Sequence, residues 1–99
     1  MSLSNVQQRH LRGLAHHLKP VVLIGQHGLK DSVFEEIEIA LGAHELIKVR
    51  VAAGDRDERA RMIDQIIEHS AAELVQTIGH IAVLFRRNRE KPKIVLPSA

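Results

Sequence analysis

A chain of 99 residues with a formal net charge of +2 and no cysteine is expected to form one domain, long enough to bury a core without staples. Lacking cysteine, it can have no disulfide, no thiolate nucleophile and no Cys-type zinc site. The polar start MSLSNVQQ lacks the apolar core of a signal peptide and no apolar run approaches a membrane span, so a soluble cytoplasmic protein with no membrane partner is expected.

Ser4 is a good N-cap for a first helix. Leu11, Leu14, Ala15 and Leu18 follow at helical spacing as an apolar stripe, and Arg9, Arg12, His16 and Lys19 form a second, basic stripe. Lys19-Pro20 should end this helix, because a residue before proline avoids the helical region. Val21–Ile24 reads as a short strand, buried because it is continuous, apolar and β-branched. Val33, Phe34, Ile37 and Leu41 mark a second helix starting at Lys30 or Asp31, with acids near its start and Gly42 near its end.

The alternation over Glu45–Ala52 predicts a strand with Ile47, Val49 and Val51 inside and Lys48 and Arg50 on an exposed basic face. A turn at Gly54 with a cap at Asp55 or Asp57 opens a third helix carrying Ala60, Ile63, Ile66 and Ile67 and running to about Ser70. Leu74–Ile78 and Ile81–Phe85 are two more strands, joined by Gly79-His80 as a tight hairpin. Residues 91–99 form a tail in which Ile94–Leu96 either adds an edge strand or trails. The order α-β-α-β-α-β-β implies an α/β fold, a single domain spanning 1–99 with its core at about 3–96. Helices pack on a four-stranded mixed sheet.

Charge is segregated along the chain. Residues 1–30 hold Arg9, Arg12, Lys19 and Lys30 and no acid, whereas 31–47 hold Asp31, Glu35, Glu36, Glu38 and Glu45 and no lysine or arginine. Residues 74–99 are basic again, through Arg86, Arg87, Arg89, Lys91 and Lys93 against Glu90. Basic ends around an acidic middle point to a polyanion on one face.

Gly25-Gln26-His27-Gly28 joins the first strand to the second helix, at the edge of an α/β sheet where ligands bind. A helix start offers free N–H groups to phosphate, and glycines let a sugar-phosphate chain approach the backbone. The loop matches neither the mononucleotide P-loop nor the dinucleotide fingerprint. It is closer to the G-x-x-G loop with which KH domains clamp a nucleic-acid backbone.

The run GLAHHLKPVVLIGQHGLKDSVFEEIEIALGAHELIKVRV and the later IGHIAVLFR resemble the CRM domain, the RNA-binding module of chloroplast splicing factors and of a small bacterial, YhbY-like family. The likeness extends from about Leu3 to Leu96 and is carried by the ordered marks LKP, VVLIG, G-x-x-G, ELIKV and IGHIAVLFR. It implies a fold like the C-terminal domain of bacterial translation initiation factor three. It also implies association with precursors of the large ribosomal subunit, through RNA, in aid of their maturation. Carried onto this chain, the RNA-binding loop is Gly25, Gln26, His27 and Gly28, with Arg12, Lys19, Lys30 and Arg86 as basic neighbours. Arg9 on the first helix and Arg87 after the last strand are further phosphate contacts on that reading.

Other chemistries find less support. The only aromatic residues, Phe34 and Phe85, sit in apolar patterns and read as core, so recognition should lean on backbone contacts. The seven histidines include no H-x-x-x-H pair, and no metal site or cofactor is expected. No nucleophile elbow or paired-carboxylate constellation appears, so neither catalysis nor a small-molecule substrate is expected. The alternative from another class is a protein-interaction adaptor docking on ribosomal proteins or an assembly GTPase. Steep salt dependence separates RNA binding from that reading.

Overall fold

Most elements begin where the sequence supplies a start signal. In the computed structural model, which describes residues 3–98, the Ser4 hydroxyl accepts the Gln7 amide proton at 3.1 Å and the Gln7 side-chain oxygen accepts the Ser4 amide proton at 3.1 Å. This capping box opens α1 (Asn5–Ala15). The chain continues as β1 (Pro20–Ile24), α2 (Asp31–His44), β2 (Leu46–Val51), α3 (Arg56–Ser70), β3 (Glu73–Ile78) and β4 (Ile81–Phe85). The Asp55 carboxylate caps α3 by accepting from the Glu58 amide at 2.9 Å. Gly79, at φ 56°, starts the two-residue turn between β3 and β4.

The four strands form one mixed sheet in the order β1-β2-β4-β3. β1 and β2 are parallel, and β4 runs antiparallel to both β2 and β3. The crossovers β1-α2-β2 and β2-α3-β3 therefore step in the same direction, and a shared right-handed connection puts both helices on one face. The larger core cluster lies between them and the sheet, with Val22, Ile24, Ile37, Leu41, Ile47, Val49, Val51, Ile66 and Leu84 all buried. α1 packs on the opposite face, where Leu11 and Ala15 meet Leu46, Val75, Val83 and Phe85. Three layers result: α1, the sheet, and α2 with α3.

Several expectations are corrected. α1 stops at Ala15 rather than running to Lys19. The Leu18 amide turns back to the Ala15 carbonyl at 2.9 Å, and the Lys48 ammonium takes the Leu18 carbonyl at 3.0 Å. Leu14 and Leu18 consequently remain over a third exposed. β1 is not buried on both faces. It is an edge strand beginning at Pro20, with Val22 and Ile24 inside and Val21 and Leu23 outside. Proline fits such a place because its missing N–H costs no ladder bond. On α3, Ala60 faces solvent and Ile66 takes the buried position, with Ile63 and Ile67 partly buried. Phe85 is buried, and Phe34 packs partly buried against His69 of α3 at 4.3 Å between ring centroids.

The tail neither adds a strand nor trails. Ile94 and Leu96 pack against the α1-side cluster, held there by Glu45, which is 0% exposed. Its carboxylate accepts from the amides of Asn88 at 2.6 Å, Lys93 at 2.7 Å and Ile94 at 2.7 Å. Glu45 ends α2 rather than starting a strand, and it does so at φ 64°, ψ −45°, a backbone state few non-glycine residues adopt. Burial pushes its pKa up. The three amide hydrogen bonds and the nearby Arg87 guanidinium outweigh that push and hold it below the ordinary carboxylate value.

Candidate nucleic-acid interface

The G-x-x-G loop sits at one end of the sheet. The Gly28 amide closes the turn onto the Gly25 carbonyl at 3.1 Å, and Gln26 and His27 are exposed at its tip. Gly28 has φ +70°, which favours glycine for its own backbone. Gly25 carries no such requirement, and a Cβ there would meet nothing within 4 Å. The fold therefore does not demand glycine at position 25, whereas a ligand approaching the main chain would. Lys30 follows at the N-cap of α2, whose first turn receives no side-chain cap. Amide protons at this helix start therefore face outward beside a lysine.

Two neighbouring loops are stitched to this one. The Ala52 amide donates to the Ile24 carbonyl at 2.9 Å, and the Val51 amide to the His80 carbonyl at 2.7 Å. His80 Nδ1 lies 3.2 Å from the Val51 carbonyl oxygen, which accepts from it in the tautomer that carries the proton on Nδ1. Arg56 and Arg59 stand near this end beside Thr77 and Gly79, with Arg59 donating to the Gly54 carbonyl at 3.0 Å.

The ten expected contact residues do not all converge. Gly25, Gln26, His27, Gly28 and Lys30 form one continuous surface. Lys19 lies at the other end of β1, about 20 Å away at roughly 3.3 Å per residue. Arg86 and Arg87 follow β4, whose end pairs with the start of β2, so they share that far end with Lys19. Arg86 is also engaged internally: its guanidinium donates to the Glu38 carboxylate at 2.7 Å and the Ser70 carbonyl at 3.0 Å, tying α2 to the end of α3. Arg9 and Arg12 are exposed on α1, over the opposite face from α2 and α3.

The layers differ in charge. α2 carries Asp31, Glu35, Glu36 and Glu38 with no lysine or arginine, and α3 carries Asp57, Glu58, Asp64 and Glu68 against Arg56, Arg59 and Arg61. α1, β1 and β2 carry no acid and contribute Arg9, Arg12, Lys48 and Arg50. Among the described residues no group of histidines and acids could hold a metal ion, and no helix is long and apolar enough to cross a membrane.

The CRS1 / YhbY (CRM) domain matches residues 3–86 of this chain. The chain belongs to that family. Its sequence is 52% identical over 96 residues to a Haemophilus influenzae protein named RNA-binding protein, covering 97% of this chain and 96% of that one. It is 40% identical over 93 residues to the probable RNA-binding protein PA4753 of Pseudomonas aeruginosa, covering 94% and 89%. The solution structure of SAV1595 from Staphylococcus aureus superposes with a TM-score of 0.82 at 35% identity, covering 97% of this chain and all of that one. The CRM fold, a four-stranded mixed sheet with three helices, is thus shared with that solved structure.

In this CRM domain the residue that sequence reasoning undervalued is Arg50. The Lys48/Arg50 alternation marks a basic strand face, but only the strand order shows that Arg50 lies at the loop end and Lys48 a step further away. Arg56, Arg59 and His80 are likewise invisible as loop neighbours in the sequence, since 28 or more positions separate them from Gly28.

Proposed function

We propose that this protein binds RNA through the Gly25–Gly28 loop. We further infer that it associates by this means with precursors of the large ribosomal subunit and aids their maturation. The observation that carries the reading is Gly25: a glycine that neither packing nor dihedral angle requires, beside an uncapped helix start and Lys30. Membership in a family whose relatives are named RNA-binding proteins supports RNA as the polyanion. Gly25 and Gly28 give the sugar-phosphate chain access to backbone amides, Gln26 and His27 contact it, and Lys30 neutralises phosphate. Arg9 and Arg12 supply longer-range attraction from α1. Lys19 and Arg87, at the far end, serve only an RNA long enough to reach them. Arg86 is assigned to the fold rather than to RNA.

The test is sedimentation of tagged protein from lysate at low and high salt, with and without ribonuclease, beside the variant Gln26→Asp/His27→Asp. The expected result is migration with large-subunit precursors that salt, ribonuclease and the loop variant each abolish. Binding that survives salt and the acidic loop would favour a protein-docking adaptor instead.

A further inference from the structure

The α1 layer covers only part of its sheet face. Its buried contacts are Leu46, Val75, Val83 and Phe85, toward the end of the sheet away from the loop. Toward the loop, the register aligns a row of side chains across all four strands: Leu23 opposite Arg50, Arg50 opposite Ile81, and Ile81 opposite Ile78. Alternation puts the row on the α1 side, since Val22, Ile24, Val49, Val51 and Ala82 point into the other core. Most of it is open: Leu23 is 62% and Ile78 56% exposed and Arg50 is exposed, while Ile81 is partly buried against the edge of the α1-side cluster. The Arg50 guanidinium has no hydrogen-bond or ion-pair partner among the described residues. Three strand spacings make the row about 14 Å long.

We propose that this row is a second RNA-contact surface, on which the single strand leaving the Gly25–Gly28 loop lies across the sheet. The inference rests on the RNA-binding reading above and adds a site that the loop alone does not include. Continuity supports it, since Leu23 stands on β1 two positions before Gly25, where the loop begins. Charge supports it too, because α1, β1 and β2 carry no acid while α2 and α3 on the other face carry eight against three arginines. The chemistry of the row fits nucleotides. A guanidinium without an internal partner can lie flat on a base while its fork reaches a phosphate. The flanking Leu23, Ile81 and Ile78 give bases an apolar bed. The row has room for about four nucleotides at a stacked spacing of roughly 3.4 Å. Aliphatic side chains read no base edges, so this surface adds affinity and path with little sequence preference.

The experiment is an NMR titration of the full chain with a short unstructured oligouridylate, following the methyl groups of Leu23, Ile78 and Ile81 and the amides of Gly25 and Gly28 together. Shifts in both sets support the proposal. Shifts at the loop with unmoved row methyls overturn it and leave the loop reading intact. Shifts along the row with a silent loop support the row and overturn the loop. Silence in both overturns both. A companion variant, Arg50→Gln, keeps the fold because the side chain is exposed. It is expected to weaken oligouridylate binding about fivefold to tenfold and to reduce the slope of log K against log salt by about 0.7, one phosphate contact on a single strand. An unchanged affinity and slope would remove Arg50 from the surface.

Discussion

Replacing Glu45 with glutamine should cost about 3 kcal/mol, although the substitution changes one atom. Three amide protons converge on two carboxylate oxygens: Asn88 on one, Lys93 and Ile94 on the other. Glutamine has a single oxygen. Turned toward Lys93 and Ile94, it sets its own N–H₂ against the Asn88 amide, donor facing donor. Leaving that amide without an acceptor costs about 1–3 kcal/mol. The two remaining bonds lose their charge assistance, which roughly halves each. Glu45→Ala removes all three acceptors but lets the tail lift and hydrate. Its cost is therefore capped near what Ile94 and Leu96 contribute by partial burial, again about 2–3 kcal/mol. Urea unfolding measures both, and limited proteolysis should cut the alanine variant after Phe85 much faster than wild type. The sign with pH follows from the lowered pKa. The carboxylate's contribution is fully present above its ordinary value of 4.5 and is lost as pH falls through the depressed folded value. The gap between wild type and Glu45→Gln should be constant at neutral pH and narrow on acidification below that point. A glutamine variant as stable as wild type at neutral pH would refute the clasp.

The two loop glycines should separate by assay. Gly28→Ala, at φ +70°, should cost about 1 kcal/mol in urea unfolding, whereas Gly25→Ala should be neutral or slightly stabilising yet weaken RNA binding in an anisotropy titration. An RNA affinity unchanged by Gly25→Ala would mean that the backbone there meets no ligand. Arg86→Ala should lower stability by about 1 kcal/mol, mostly through the bond to the Ser70 carbonyl, because the Glu38 pair is exposed and adds little. The same variant should bind RNA as wild type does, and a large loss of affinity in a stable protein would return Arg86 to the interface.

Local chemistry was legible in the sequence and long-range neighbours were not. The Ser4 cap, the alternation of Ile47, Val49 and Val51, the turn at Gly79 and the loop between strand and helix each depend on residues a few positions apart. All four appear as expected. The burial of Val21–Ile24 depends instead on strand order: the same apolar run is a centre strand if flanked on both sides and an edge if not. Lys19, six positions before Gly25, and Lys30, two after Gly28, both flank the loop in sequence, yet a strand extends the chain and carries Lys19 to the opposite end. Arg86 and Glu45 find their partners 48 and 43 positions away, at Glu38 and Asn88. No local pattern separates such a buried glutamate from the exposed acids around it. The basic alternation of Lys48 and Arg50 was visible, but its relation to the loop required the register.

The three-layer arrangement bears on how RNA would bind at different salt concentrations. The acids beyond the first turns of these helices, Glu35, Glu36, Glu38, Asp64 and Glu68, lie about 20 Å from the open α1-side face, given a sheet-to-helix spacing near 10 Å and a helix diameter of similar size. At 0.1 M salt the Debye length is about 10 Å, so those acids are two screening lengths away and the basic face acts almost alone. At 0.01 M the length grows to about 30 Å, and these remote carboxylates begin to oppose an approaching strand. A plot of log K against log salt should thus be linear at moderate salt, with a slope set by the phosphates contacted, and flatten at low salt. Charge-neutralising the remote helix faces, by Glu35→Gln with Glu36→Gln, should straighten the low-salt limb without altering the slope above 0.1 M. If instead the double variant strengthened binding equally at every salt concentration, the RNA would have to pass close to α2. The open face of the sheet would then no longer describe its path.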